Sequence, residues 1–199
     1  MRLFFFGSLL DPELFEVVVG RPMASVVGVL ARLDGWSARR VREEDYPILV
    51  PTPESGTVGR VIAGLSWTEI DRVQFFEGDE YDLSPVTVGV PGPDAATVLA
   101  ASPLPGHPPA PAVGLGSVSG TAPADAAPVP LTAHAYLSNG LLSETAEPWR
   151  LDHWQRRHKV EAVTLARRWM ALYGRLPLAE AEARWEAIVA EARAVLAEA

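Results

Sequence analysis

The sequence predicts an α+β protein built on a small, barrel-like mixed sheet, followed by a C-terminal helical hairpin. Short β-branched runs bounded by Gly, Pro or Asp fill most of the first ninety residues, and capping signals mark two helices between them. In the last fifty residues, apolar side chains recur instead at spacings of three and four. At 199 residues, with 48% hydrophobic and 21% charged side chains, the chain can bury one full core.

Arg2 to Phe6 reads as the first strand. Asp11 as N-cap and Pro12 at the first helical position open a helix that ends near Gly20. Val26–Leu33, Ala38–Val41, Ile48–Pro51 and Val58–Leu65 are expected as four further strands. Ser66-Trp67-Thr68-Glu69 matches a capping box and starts a helix through Phe76, which Gly78 terminates before a strand from Tyr81 to Val90.

Between Pro91 and Pro130 lie ten of the 18 prolines and ten alanines, with Asp94 and Asp125 as the only charges. Such a stretch is expected to be a surface excursion with no core of its own, inserted before a strand from Leu131 to Leu137. The tail predicts two amphipathic helices. The first carries Leu151, Trp154, His158, Ala162, Leu165, Trp169 and Leu172 on one stripe, and Gly174 stands where a left-handed cap belongs. Pro177 fits the start of the second, whose stripe is Leu178, Ala181, Trp185, Ile188, Ala192 and Leu196. The implied organisation is a domain over 1–149, including the insertion at 91–130, and a two-helix extension over 150–199 packed on it. Trp154, Trp169 and Trp185 are expected as core or docking anchors.

The net charge is −8, from 17 Lys+Arg against 25 Asp+Glu. Residues 150–199 hold nine Lys+Arg against seven Asp+Glu, so residues 1–149 carry 8 against 18, a charge of −10. An acidic chain repels phosphate backbones, and nucleic acid is not an expected partner. The basic run Arg150, Arg156, Arg157, His158 and Lys159, continued by Arg167 and Arg168, is expected as a solvated helix face that pairs with the acidic first domain. No apolar run approaches the ~20 residues of a bilayer span, so no membrane partner is expected. Asp11, Pro12 and Glu13 interrupt the apolar opening before any cleavage site, and a cytoplasmic location follows as the default. With no Cys, and with His153 and His158 five apart, no metal is expected.

Two segments can carry chemistry. In Phe6-Gly7-Ser8-Leu9-Leu10, between a strand and a helix start, Gly7 permits a close backbone approach. The amides of Gly7 to Leu10 and the following helix N-terminus would suit a carboxylate. The same residues also read as an ordinary strand-turn-helix corner. In Phe75-Phe76-Glu77-Gly78-Asp79-Glu80-Tyr81, burial against the two rings would raise the Glu77 pKa and make it a proton carrier near neutral pH. The alternative is a solvated carboxylate at a helix end. Glu43, Glu44, Asp45, Asp79 and Glu80 read as solvent-exposed.

F-G-S-L-L after the first strand, D-Y-P-I-L-V at 45–50, V-G-R-V-I-A-G-L at 58–65 and F-F-E-G-D-E-Y at 75–81 occur in that order. Together they resemble the γ-glutamylcyclotransferase-like family, in its plant avirulence-induced, γ-glutamylamine-cyclotransferase-like branch. The resemblance runs from Arg2 to about Val90, resumes at His134-Ala135-Tyr136-Leu137 and extends to the Trp154–His158 spacing. It implies a metal-free, cofactor-free release of 5-oxoproline from a small γ-glutamyl amide. By matched position, Phe6, Gly7, Ser8 and Leu9 would form the substrate loop, Glu77 would be the general acid/base, and Tyr81 the family's aromatic residue four positions on. Two positions depart from the pattern: Phe6 stands in place of Tyr, and Leu83 in place of Arg. These losses keep open a non-catalytic binding or regulatory protein that uses the same cavity. Ser8 is not read as a hydrolase nucleophile, because no G-x-S-x-G elbow surrounds it, although His134, His153 and His158 are available.

Overall fold

Alternation along β1 (Arg2–Phe5) sets the layout: Leu3 and Phe5 join one hydrophobic cluster, and Phe4 between them joins a second. A computed structural model describes residues 1–101 and 127–198. β1 pairs antiparallel with β3 (Pro47–Ala63) and parallel with β5 (Val129–Ser138). β5 pairs with β4 (Tyr81–Val90), β4 with β2 (Val27–Val41), and β2 returns to β3, which closes a mixed five-stranded barrel. A short sixth strand, β6 (Glu144–Pro148), attaches to the far half of β2. It is too polar to have been expected.

Phe4, Val29, Val61, Val88, Ala31 and Ala133 belong to the cluster to which all five barrel strands contribute. The interior is narrow. A Cβ on Gly59 would lie 2.8 Å from the Phe4 ring and still closer to the Phe5 carbonyl. α3 (Gly92–Ala101) adds Ala95 and Val98 to the same cluster. The first ten residues of the Pro/Ala-rich stretch therefore do bury a stripe, contrary to expectation, because two small apolar residues three apart suffice against a barrel. The rest of that insertion, 102–126, lies outside the described residues.

The four expected strands in 26–65 are two long ones. The pairing shifts register between Asp34–Gly56 and Trp36–Pro51, so that Gly35, at φ 80°, stands opposite four unpaired residues of β3, 52–55. The helices follow their caps. α1 (Pro12–Val19) is capped by Asp11 and ends at Gly20, φ 93°. α2 (Trp67–Glu77) opens with both bonds of the capping box, between Ser66 and Glu69, and ends at Gly78, φ 75°.

The tail is the expected hairpin, with each arm interrupted once. α4 (Leu151–Arg157) and α5 (Lys159–Met170) form the first arm, and α6 (Leu178–Glu182) and α7 (Trp185–Ala197) the second. Gly174 turns between them at φ 71°. Trp154 and Trp169 are buried, and the Trp169 indole donates to the Phe75 carbonyl at 3.0 Å. Trp185 does not join them: it remains 44% exposed.

Three of the seven residues of the basic run meet acids of the first 149 residues, while Arg150 and Arg156 pair with Asp152 inside the tail. Lys159 pairs with Asp11 at 3.0 Å and Glu13 at 3.3 Å, Arg167 with Glu13 at 3.1 Å, and His158 with Asp45 at 2.8 Å. Asp11 is fully buried. Burial alone would raise its carboxyl, but hydrogen bonds from Gln155, Lys159 and the Leu14 amide outweigh that and hold it below the usual range. Such a group adds stability above its unfolded-state pKa and loses it as pH falls through the folded value. Asp11→Ala, which removes a helix cap and strands buried donors, is expected to cost about 2–4 kcal/mol in urea unfolding near neutral pH. The deficit should shrink as the wild type is titrated into acid; an equal deficit at all pH values would contradict this role.

Candidate active site

After β1 the chain passes through Phe6 and Gly7 into a single 3₁₀ turn, Ser8–Leu10. Phe6 stacks on Phe4 with ring centroids 6.3 Å apart, and Leu9 is buried. Gly7 has φ −114°, so left-handed freedom is not what the position requires. Space is the requirement: a Cβ there would sit 2.8 Å from Pro47 Cγ.

The turn's amides are only partly free. Leu10 N–H donates to the Gly7 carbonyl at 3.0 Å and Asp11 N–H to the Ser8 carbonyl at 2.9 Å. The expected set from Gly7 to Leu10 thus loses Leu10, and the amides of Ser8 and Leu9 lie at the open end of the turn. The start of α1 is also taken: the Asp11 side chain accepts from Glu13 N–H at 3.0 Å and Leu14 N–H at 3.2 Å. A substrate anion would meet the turn and not the helix terminus.

Glu77 ends α2, and the left-handed Gly78 swings the chain toward β4. Tyr81, buried at the start of β4, donates its hydroxyl to the Pro47 carbonyl at 3.4 Å. Pro47 therefore touches both segments, its ring against Gly7 and its carbonyl against Tyr81. Phe6 to Leu9, Glu77 and Tyr81 all border one cavity of about 660 Å³. Burial pushes the Glu77 carboxyl up to about 8. Its side chain remains reachable from the cavity while protein surrounds it, so it is desolvated without being sealed off. Of the two rings before it, Phe76 lines the cavity, whereas Phe75 packs away against Trp169, centroids 5.2 Å apart.

Several bordering residues were not read from the sequence as part of the site. The Tyr136 hydroxyl is buried with no hydrogen-bond partner among the described residues, and burial and the nearby Glu77 charge raise its pKa. A signal for it existed: Leu131, Ala133 and Ala135 alternate into the inner cluster, so Tyr136 faces outward, toward the helices. Glu43, Glu44 and Asp79 are exposed as expected, Asp45 and Glu80 are half-buried, and all five border the cavity. The tail contributes as well, through Trp154, His158, Glu182, Trp185 and Arg193. Glu182 accepts a hydrogen bond from the Asp79 backbone amide, just past Glu77 and Gly78. Leu83, at the second departure from the family pattern, packs against the outer cluster.

No helix of the described residues is long and apolar enough to cross a membrane. The chain is 31% identical over 99 residues to AIG2-like protein A of Arabidopsis thaliana, covering 50% of this chain and 57% of that one. It is 30% identical over 81 residues to AIG2-like protein B of the same plant, covering 41% and 45%. The chain thus spans about half the length of the curated relatives it matches. The solution structure of another Arabidopsis thaliana protein superimposes with a TM-score of 0.50 at 19% identity, over 88% of this chain and 84% of that one, a likeness of fold. The family described as gamma-glutamyl cyclotransferase, AIG2-like matches residues 3–109. With more than half of its length matched in this way, the chain belongs to that family.

Proposed function

We propose that this protein is a γ-glutamyl cyclotransferase that releases 5-oxoproline and an amine or amino acid from a small γ-glutamyl amide. The supporting observation is the single cavity shared by a carboxyl raised to about 8 and the glycine-bearing turn after β1. The substrate's α-amine attacks its own γ-carbonyl, so the nucleophile is tethered and most of the orientational barrier disappears once the substrate is folded into a ring-forming pose. Glu77 accepts a proton from the attacking amine and delivers one to the departing nitrogen, which is too basic to leave as an anion. A carboxyl near 8 can do both at neutral pH, where an ordinary Glu would be a poor acid.

The amides of Ser8 and Leu9 are available to the substrate carboxylate or to the oxyanion that develops on the γ-carbonyl, with the Ser8 hydroxyl as an additional donor. Phe6 and Leu9 shape the wall beside them, and Tyr81 braces Pro47 against the turn. Phe6 has no hydroxyl and Leu83 is absorbed in hydrophobic packing, which favours one second reading: a cavity that binds γ-glutamyl compounds without turning them over. Ligands that raise the melting temperature and survive long incubation intact would select that reading.

Glu77→Gln is expected to keep the fold and lower 5-oxoproline release by at least ~10²-fold, measured as amine liberated from γ-glutamyl amides. Near wild-type turnover would remove Glu77 from the mechanism. In the wild type, kcat/KM should climb with pH toward about 8 as the free carboxyl ionises, and a profile flat between pH 6 and 9 would contradict the assignment. Stability has the opposite trend. A carboxyl whose folded pKa lies above its unfolded value costs nothing in acid and progressively more as pH rises from the unfolded value to the folded one. Glu77→Gln should therefore be more stable than wild type above neutrality, by roughly 1–3 kcal/mol, and the gap should close in acid.

A further inference from the structure

Among the described residues, the Tyr136 hydroxyl is the one buried side-chain polar atom that both lacks a hydrogen-bond partner and borders the cavity. The residue is only 4% exposed. A hydroxyl buried without a partner costs stability, and beside a cavity that cost is relieved by a partner that arrives from outside the protein.

The strand register shows why the protein itself leaves this group unpaired. Tyr136 stands opposite Leu83 in the β4–β5 ladder, and Tyr81 opposite Ser138, so both phenols leave the barrel on its helix-covered face. Their bonding differs. Tyr81 donates to the Pro47 carbonyl at 3.4 Å, whereas the side chain across from Tyr136 is an apolar leucine. Glu77 is the nearby charge: burial first, and that carboxylate second, raise the Tyr136 pKa, although the two side chains share no hydrogen bond. The phenol therefore stays protonated, and a donor, throughout the neutral range. In the reaction, Glu77 exchanges protons with both nitrogens bonded to the γ-carbon, so that carbon must lie next to it. A donor beside Glu77 but not bonded to it is placed for the γ-carbonyl oxygen.

We propose that Tyr136 is a catalytic residue whose hydroxyl donates to the γ-carbonyl oxygen of the substrate and stabilises the oxyanion formed there, which leaves the Ser8 and Leu9 amides to the α-carboxylate. This rests on the cyclotransferase reading above. As the α-nitrogen bonds to the γ-carbon, the carbonyl electron pair moves onto the oxygen held by Tyr136, and the proton shed by that nitrogen passes to Glu77. The pair then returns to re-form the carbonyl, the bond to the amide nitrogen breaks, and Glu77 protonates the departing amine. Tyr136 keeps its own proton throughout, as a fixed donor in a desolvated site. It lies on β5, beyond the residues 3–109 matched to the family.

Tyr136→Phe removes the hydroxyl and keeps the ring. Because the hydroxyl is unpaired in the free protein, the variant is expected to melt at or above the wild-type temperature. It should nevertheless lose about 10²- to 10³-fold in kcat for 5-oxoproline release from γ-glutamylbutylamide, with KM nearly unchanged. The climb of kcat/KM toward about 8 should stay in place, since Tyr136 is not bonded to Glu77. Wild-type kcat in the variant would overturn the proposal and leave the cyclotransferase reading intact. A displaced pH limb would overturn it by showing action through Glu77, and a lower melting temperature by showing a structural bond. If the wild type itself releases no 5-oxoproline, the cyclotransferase reading falls, and infrared difference spectra of the bound, intact amide, isotope-labelled at the γ-carbonyl, test the donor alone. A carbonyl band at lower frequency in wild type than in Tyr136→Phe supports it; the same band in both proteins, or no saturable binding, overturns it.

Discussion

Asp11 carries the constraint on which the rest of the architecture depends. Its Oδ1 accepts from the first amides of α1, and its Oδ2 accepts from Gln155 at 2.8 Å and Lys159 at 3.0 Å, both on the tail. A fully buried carboxylate is costly unless its lone pairs are filled, and here they are filled from both directions along the chain. Because Asp11 N–H also closes the 3₁₀ turn on Ser8, the turn, the helix after it and the tail share one anchor. Loosening any of them leaves a buried charge short of donors, which makes the arrangement cooperative.

Pro47 performs the equivalent task on the other side of the cavity. Its ring occupies the space where a side chain at Gly7 would stand, and its carbonyl receives the Tyr81 hydroxyl. Two segments about seventy residues apart are thereby brought to one residue of the β2–β3 hairpin. The barrel supplies the rigidity behind them, since small residues such as Ala31, Ala133 and Gly59 leave its interior no room to shift. Glu77 owes its weakened acidity to this enclosure: it stands at a helix end where the wall of aromatic and aliphatic side chains displaces water, which disfavours the ionised carboxylate.

The tail completes the enclosure. Its basic face neutralises acids near the turn, at Asp11 and Glu13, while its second arm brings Glu182 and Trp185 to the cavity wall. The same element thus cancels negative charge at the anchoring side and adds it at the opening. Local potential at the cavity is therefore decided by which helix face lands where, and the overall −8 of the chain says little about it.

What the sequence by itself determined are the features written in neighbouring residues: the Asp11 and Ser66 caps, the glycine stops at Gly20, Gly78 and Gly174, the strands β1, β4 and β5, and the ordered motifs that carry the family resemblance. Caps, stops and alternation are short-range chemistry, so they are legible without coordinates. Tertiary structure decided the rest. Asp34-Gly35 has the composition of a turn, yet β2 runs on through it because both its halves pair with the same strand, across a register shift that leaves residues 52–55 of β3 unpaired. Trp185 has the spacing of a core residue and stayed partly open because its arm closes over a cavity and not over a packed surface. Tyr136, Glu182 and Glu44 joined the cavity wall only when distant strands and helices met there. Burial, and with it the acidity of every group around Glu77, depends on which surfaces come together across the chain, and no local pattern encodes that.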